Sequence, residues 1–192
     1  VCMYDSKYDM NSIYVHPDVH GDIVRLCGGK LGVVYTFEML AYHLRNARNE
    51  GYLLLTHNGE GFDFPIISKT PKEGGVGSVK SHLEKWYTLY HNCCPNSSLY
   101  LKQKTGIRYR LNHLIHGMLG EEQSKLMDAA NAPIEWSKGN YEEVIRYCID
   151  DCLKTYNVFV GSLDSGYFTA IGKDEYIPVK APRIDYQNGF GF

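Results

Sequence analysis

The sequence predicts an α/β fold, and three observations lead to that class. Short β-prone runs fill much of the first third of the chain, one continuous apolar run leads directly into a turn and a helix, and the longest helical pattern comes late. Strands that feed into helices are typical of layered α/β domains, whereas helix bundles lack the strands and β-sandwiches lack the long helix. We therefore expect a mixed sheet flanked by helices.

The first predicted elements are two short strands at residues 22–27 and 31–36, both rich in β-branched residues. Gly28 and Gly29 lie between them. Because paired glycines are typical of tight turns between strands, this segment predicts a β-hairpin.

A helix is predicted next, capped by Thr36 and ended by Gly51, because apolar residues between them follow the helical period. Residues 52–56 (YLLLT) are then continuously apolar. Such a run is typical of a strand that is buried on both faces. Pro65 suits the first turn of the following helix.

The second half of the chain contains further predicted elements. They are a loop over residues 70–79, a helix that begins at Ser81, a helix over 111–119, a long helix from Tyr141 to about Val160, and a hairpin over 166–179.

Length and composition limit the organisation of the chain. With 192 residues and 44% hydrophobic residues, it can bury one substantial core, so we expect one domain over residues 1–160. Residues 161–192 are expected to form a C-terminal hairpin or tail that packs on this domain or extends from it. The formal net charge of −2 excludes an overall basic field, so any binding of nucleic acid must be local.

The cysteine pattern and the distribution of apolar residues indicate a cellular setting. The six cysteines form no C-x-x-C pair, which argues against a zinc site or a disulfide scaffold and favours a reducing compartment. No apolar run is long enough for a membrane span, and no leader segment opens the chain. We expect a soluble intracellular protein of the cytoplasm, nucleoid or organelle matrix that is neither secreted nor bound to a membrane.

Two groups of residues have the chemistry of a catalytic site. Tyr147 and Asp151 are four residues apart on the predicted long helix and therefore share one face of it. Asp151 lies beside the apolar stripe, where a carboxylate is unfavourable unless a cation such as a divalent metal neutralises it. Asn58 and Asp63 follow the predicted buried strand, at the edge of the sheet where α/β proteins place their sites. The alternative interpretation is a simple turn at Asn58 and a helix cap at Asp63.

Residues 57–65 (HNGEGFDFP) resemble the second motif, N-x-x-x-F/Y-D, of the DEDDy 3′–5′ exonucleases that proofread for family A and B DNA polymerases. Residues 147–151 (YCIDD) resemble their third motif, Y-x-x-x-D. The stretch from Trp136 into Tyr147 is similar to that of stand-alone exonucleases related to the family B proofreading domain. The resemblance covers about residues 1–160.

This resemblance implies a ribonuclease H-like mixed sheet flanked by helices, and hydrolysis of phosphodiester bonds at the ends of single-stranded DNA or, as the second choice, RNA. Two divalent ions, Mg²⁺ or Mn²⁺, would hold the scissile phosphate, with Asp63 and Asp151 among their ligands. Tyr147 would orient the attacking water, while His57, Asn58 and Phe62 would contact the substrate strand. A larger replication or repair assembly is a further expected partner.

The first motif of the family, D-x-E on the first strand, does not occur in the chain. Asp5 follows a short apolar run at about the right distance from Asn58, so it is the candidate catalytic and metal-binding residue, but Lys7 stands in place of the glutamate. Three hypotheses remain open. The motif lies upstream of Val1, or Asp5 together with Asp9 or Asp22 completes a variant site, or the site is degenerate and the fold serves as a nucleic-acid-binding or scaffolding subunit.

One segment combines basic and aromatic residues. Its members are Lys102, Lys104, Arg108 and Arg110, interleaved with Tyr100 and Tyr109. This composition suits single-stranded nucleic acid, through contacts to phosphates and stacking on bases. A solvated surface strand or loop is the alternative.

Overall fold

The structure is a computed structural model that describes residues 1–59, 61–67, 96–120, 126–171, 176–181, 183–185 and 189–191. The strands within these ranges are β1 (Cys2–Asp5), β2 (Met10–Val15), β3 (Val33–Thr36), β4 (Tyr167–Ile171), β5 (Tyr176–Lys180), β6 (Arg183–Asp185) and β7 (Gly189–Gly191). The helices are α1 (Pro17–Cys27), α2 (Met39–Asn49), α3 (Asp63–Ile67), α4 (Ser97–Thr105), α5 (Leu111–Leu119), α6 (Ala132–Ser137) and α7 (Tyr141–Ser165). The predicted α/β class is confirmed at this level.

The chain divides into two compact units. Unit 1 comprises Val1–Leu40 and Lys125–Lys154, and unit 2 comprises Ala41–Ser124 and Thr155–Phe192. The predicted domain over residues 1–160 stays a prediction, because a division by internal contacts does not test where a family domain ends.

Unit 1 contains a mixed three-stranded sheet in the order β1-β2-β3. β1 and β2 are antiparallel, with Asp5 opposite Met10, whereas β2 and β3 are parallel, with Val15 opposite Thr36. A parallel pair needs a crossover connection, and α1 supplies it. β1 ends at Asp5 and lies at the edge of this sheet, next to β2.

The core of unit 1 follows from two periodicities. Ile13 and Val15 alternate along β2 and so share one face of the sheet, and two helices cover that face with residues spaced four apart. The buried residues that pack together are Ile13, Val15, Ile23, Cys27, Ile145 and Ile149.

The hairpin predicted over residues 22–36 is wrong, because its first strand, residues 22–27, belongs to α1. Ile23 and Cys27 are fully buried, while Val24 between them is substantially exposed. Burial every fourth residue is helical, and it overrides the β-prone composition of the segment. Pro17 in the first turn of α1 is the sequence signal that indicates the helix start.

The core of unit 2 packs α5 and the second half of α7 against the hairpin of β4 and β5. Leu114, Ile115, Phe168 and Ala170 are completely buried in it. The predicted helix over residues 111–119 is confirmed with the same bounds, and the predicted hairpin over 166–179 is confirmed as the antiparallel pair β4–β5. The long predicted helix is confirmed and extends to Ser165.

The buried strand predicted over residues 52–56 is wrong. Its pairing with other described residues is limited to an isolated bridge between Thr56 and Asn96, and Leu53 is partly exposed to solvent. A continuous apolar run predicts burial but not a strand partner, and this segment pairs with none of the described strands. The predicted loop over 70–79 and the helix from Ser81 lie outside the described residues.

No helix in the part of the chain that the structure describes combines the length and the apolar character needed to span a membrane.

Gly117 tests the packing of α5 on β4. A Cβ atom at this position would lie 2.1 Å from the carbonyl oxygen of Thr169, which is backbone and cannot yield easily. We expect Gly117→Ala to lower the free energy of unfolding by roughly 1–3 kcal/mol through overpacking, although alanine is the better helix former.

Gly161, in α7 of the same unit, is the matched control, because its Cβ would meet only the end of the Met118 side chain at 3.4 Å. Gly161→Ala should be neutral or stabilise by up to about 1 kcal/mol. Urea unfolding of both variants checks the pair. Equal effects would show that α5 and β4 are not in the close contact described.

Candidate active site

Tyr147 and Asp151, the residues of the predicted third motif, meet on one face of α7 in unit 1. The Tyr147 hydroxyl donates a hydrogen bond to the Asp151 carboxylate. Tyr147 is only 6% exposed, and its burial, followed by the charge of Asp151, raises the pKa of the phenol well above its usual value. Tyr147 is therefore a neutral hydrogen-bond donor throughout the physiological pH range.

Asp128 is a residue that sequence reasoning missed. Its negative charge also raises the pKa of Tyr147, which places a second carboxylate in the neighbourhood of the phenol. Asp128 is exposed, and its Oδ1 accepts a hydrogen bond from the backbone N–H of Ala130 at 3.1 Å. The turn it forms ahead of Pro133 is readable from sequence, but its proximity to Tyr147 is not.

Asp150 has a different partner from Asp151, its neighbour along the helix. Lys154 donates from Nζ to Asp150 Oδ2 at 2.7 Å, and Lys154 is only 7% exposed. A buried ammonium group needs such a counter-charge, so Asp150 serves the packing of α7. Of the two consecutive aspartates, Asp151 is therefore the one associated with Tyr147.

Asp5 caps the turn that follows β1. Its Oδ1 accepts hydrogen bonds from the backbone N–H groups of Lys7 at 2.9 Å and Tyr8 at 3.3 Å. The chain reverses direction here, so the residue two positions after Asp5 does not continue along the strand as a D-x-E motif requires. Lys7 is exposed in this turn, with its Nζ 5.0 Å from the centre of the Tyr8 ring.

The residues considered as substitutes for the missing glutamate also have local partners. Asp9 Oδ1 accepts a hydrogen bond from the Tyr4 hydroxyl at 3.0 Å, and Asp22 forms a surface ion pair with Arg25 in α1. Both contacts belong to the turn or helix that carries the residue.

The second predicted motif forms a tight loop in unit 2. Asn58 has a φ of 65°, in the left-handed region, and its carbonyl accepts hydrogen bonds from the N–H groups of Gly61 and Phe62, each at 3.0 Å. A Cβ atom on Gly61 would lie 2.6 Å from Asn58 Oδ1, so a larger residue there would require the Asn58 side chain to move. The loop leads into α3, whose first residue is the exposed Asp63.

Asn96, which sequence reasoning also missed, holds this loop in place. Its Oδ1 accepts hydrogen bonds from the N–H of Asn58 at 2.9 Å and from the N–H of Leu99 at 3.2 Å, where it caps α4. His57 Nδ1 is 2.8 Å from the hydroxyl oxygen of the buried Ser97. Asn followed by two serines is a readable helix-cap pattern, but the contact to a residue 38 positions away is not.

The three predicted substrate-binding residues therefore differ in what they contact. The His57 ring and the Asn58 backbone attach the loop to the start of α4. Phe62 is 60% exposed, so its ring is open to solvent.

The predicted site residues are divided between the two units: Asp5, Tyr147 and Asp151 belong to unit 1, and His57, Asn58, Phe62 and Asp63 to unit 2. Tyr147 and Asp151 contact each other, whereas Asp5 accepts hydrogen bonds from the backbone of its own turn. Among the described residues, no group of three or more histidine, cysteine, aspartate or glutamate side chains is arranged to hold a metal ion. No protein-family model, curated protein or solved structure matches this chain.

The substitution Tyr147→Phe tests whether the buried phenol stays protonated in the folded protein. At pH 7 the variant should be less stable by roughly 1–2 kcal/mol, because Asp151 loses a hydrogen bond. In the wild type, the folded phenol has a higher pKa than the unfolded one, so this contribution is complete below about pH 10 and is lost as the pH rises above it. Phenylalanine cannot titrate.

The stability difference between wild type and Tyr147→Phe should therefore shrink by about 1 kcal/mol between pH 10 and pH 11. Urea unfolding at pH 7, 10 and 11 measures it. Tyr167→Phe, which replaces a half-exposed tyrosine, is the control. Its stability should change with pH in the same way as that of wild type. If the stability of Tyr147→Phe changes with pH in the same way as that of wild type, the phenol is not buried and protonated as described.

Proposed function

We propose that the chain is a ribonuclease H-like 3′–5′ exonuclease of the DEDDy type, which hydrolyses phosphodiester bonds at the ends of single-stranded DNA or, as the second choice, RNA. The observation that carries this proposal is the hydrogen bond from the buried Tyr147 to Asp151. The motif resemblance assigns a water-orienting role to Tyr147. A neutral phenol fixed by a carboxylate suits that role, since its direction is set and its oxygen can still accept a hydrogen bond from a water molecule.

The loop of the second motif supports the same proposal. The turn at Asn58, whose carbonyl accepts from the N–H groups of Gly61 and Phe62, leads into α3, which begins at Asp63. Phe62 beside it is exposed and offers an aromatic face on which the base of a substrate strand would stack.

The metal requirement rests on the resemblance. Two divalent ions, Mg²⁺ or Mn²⁺, would activate water and stabilise the leaving oxygen, and this needs several convergent carboxylates. The described acidic residues do not form such a group, so they do not by themselves supply the ligand set. Asp63, Asp151 and Asp5 remain the proposed metal ligands. Asp5 is the least suited of the three, because its carboxylate already caps a turn.

A second candidate function is a non-catalytic nucleic-acid-binding or scaffolding subunit of the same fold. The observation that favours it is the end of β1 at Asp5, followed by a turn that carries Lys7 instead of a second acidic residue. We further propose a reducing intracellular setting, since the described cysteines, Cys2, Cys27, Cys148 and Cys152, are not joined in disulfides.

A nuclease assay separates the two candidates. With Mn²⁺ or Mg²⁺, the chain should shorten a 5′-labelled single-stranded oligonucleotide from its 3′ end. Asp151→Asn should lower the rate about 100-fold or more, because it removes a charge that the two-ion mechanism needs, and Tyr147→Phe by roughly 10-fold to 100-fold. Gel electrophoresis of the products over time gives the rates.

Glu143→Gln, at an exposed position of α7, removes one negative charge from the same helix and should leave the rate unchanged. If no shortening occurs with either ion while the oligonucleotide still binds, the non-catalytic function is favoured. If Asp151→Asn shortens the oligonucleotide at the wild-type rate, the proposed role of the third motif is wrong.

A further inference from the structure

A cluster of cations in unit 2 has no acidic counterpart. Residues 96–120 contain no aspartate or glutamate, although the chain as a whole has slightly more acidic than basic residues. Within this stretch lie the four residues that we call the basic segment: Lys102, Lys104, Arg108 and Arg110. All four are exposed, and none has an ion-pair partner among the described residues.

A fixed turn connects the two halves of the basic segment. The α4 helix ends at Thr105, whose hydroxyl donates to the carbonyl of Leu101 at 2.8 Å and accepts from the N–H of Ile107 at 3.1 Å. Gly106 follows in the left-handed conformation that ends helices, with a φ of 76°. The lysines of the last helical turn and the arginines beyond it are therefore held in one local arrangement.

Arg108 and Arg110 lie on the same side of the chain. Tyr109 between them is only 3% exposed, and in extended chain alternate residues point in opposite directions. Both arginines are exposed, and the backbone at Arg110 is extended (φ −77°, ψ 154°), so an extended chain would separate their backbone positions by about 7 Å. This spacing is comparable with that of successive phosphates along an extended strand.

Helix electrostatics explain only half of this cluster. Lysines in the last turn of a helix are stabilised by the helix dipole, which accounts for Lys102 and Lys104 without any ligand. Arg108 and Arg110 lie outside the helix, so the dipole gives no reason for them. Lys104 also lies 5.6 Å from the centre of the Tyr100 ring, a contact that leaves its charge in place. Four cations within nine residues, with no ion-pair partner among the described residues, repel one another, and a polyanion would relieve that repulsion.

The aromatic residues of this stretch are not available for stacking. Tyr100 and Tyr109 are both buried, and the Tyr100 hydroxyl donates to the carbonyl of Lys180 at 2.7 Å. The surface therefore offers positive charge and hydrogen-bond donors but no aromatic face, which corrects the stacking role expected from sequence. Phosphates are the groups that such a surface recognises.

We propose that the basic segment binds the phosphodiester backbone of a nucleic-acid strand without reading its bases. The choice of nucleic acid over an acidic protein rests on the proposed function, together with the spacing of the two arginines. Binding itself does not depend on hydrolysis, so the surface belongs equally to an exonuclease and to a non-catalytic subunit.

Fluorescence anisotropy of a 5′-fluorescein-labelled oligothymidylate of about 20 nucleotides tests the proposal. EDTA is present, so that cleavage does not contribute. The test variant changes all four residues of the basic segment to glutamine. Its matched control changes four exposed cations of unit 1 and therefore alters the net charge equally: Arg25, Lys30, Lys138 and Arg146, each to glutamine.

We expect the test variant to bind at least about 10-fold more weakly at low salt and the control at most about twofold more weakly. The slope of log affinity against log salt concentration should decrease by up to roughly 3 in the test variant, at about 0.7 for each phosphate that the protein no longer neutralises. Wild type should bind oligoadenylate and oligothymidylate about equally, since no base is read.

Three results would overturn the proposal: equal weakening in both variants, a strong preference between the two oligonucleotides that the test variant abolishes, or displacement by polyglutamate as efficient as by unlabelled oligothymidylate at equal charge. The proposed function fails separately. If the chain has no nuclease activity but the test variant loses binding, the role of the basic segment is supported and the exonuclease proposal is not. If the chain is an active nuclease and the test variant binds as tightly as wild type, only the proposed role of the basic segment is refuted.

Discussion

The burial of α7 is the constraint on which both units depend. Ile145 and Ile149 enter the core of unit 1, and Val158 and Phe159, further along the same helix, enter the core of unit 2. Tyr147 and Lys154, near the middle of the helix, are also buried, so their polar atoms are largely removed from water. Each must find a partner where it stands: Tyr147 donates to Asp151, and Lys154 pairs with Asp150. The arrangement that resembles a catalytic motif is thus also what makes polar groups tolerable beside the core.

Sequence predicted the elements whose signals are local and consistent. The helix over residues 111–119 has a helical apolar period and a terminal glycine, and the 166–179 hairpin has two β-prone runs around a turn, so both were correct. Residues 22–27 and 52–56 failed because composition and apolar content were taken as evidence of strands. Burial alone does not distinguish a strand from a helix or an unpaired segment.

The candidate site was predictable in the same uneven way. Tyr147 and Asp151 are one helical turn apart, so their contact follows from the helix itself. The roles of Asn96 and Asp128 depend on contacts between residues far apart in sequence, which no local pattern encodes. Asp5 ends β1, but the turn that follows uses its carboxylate as a cap, and only hydrogen bonds reveal that use.

The proton on Tyr147 limits the chemistry that this side chain can perform. A phenol whose pKa is raised by burial and by a neighbouring carboxylate cannot remove a proton from water near neutral pH. It can only hold a water molecule in place, and its donor is already directed at Asp151. The proton that an attacking water must lose would therefore have to leave by a route other than the phenol, so Tyr147 would orient the water without acting as its base.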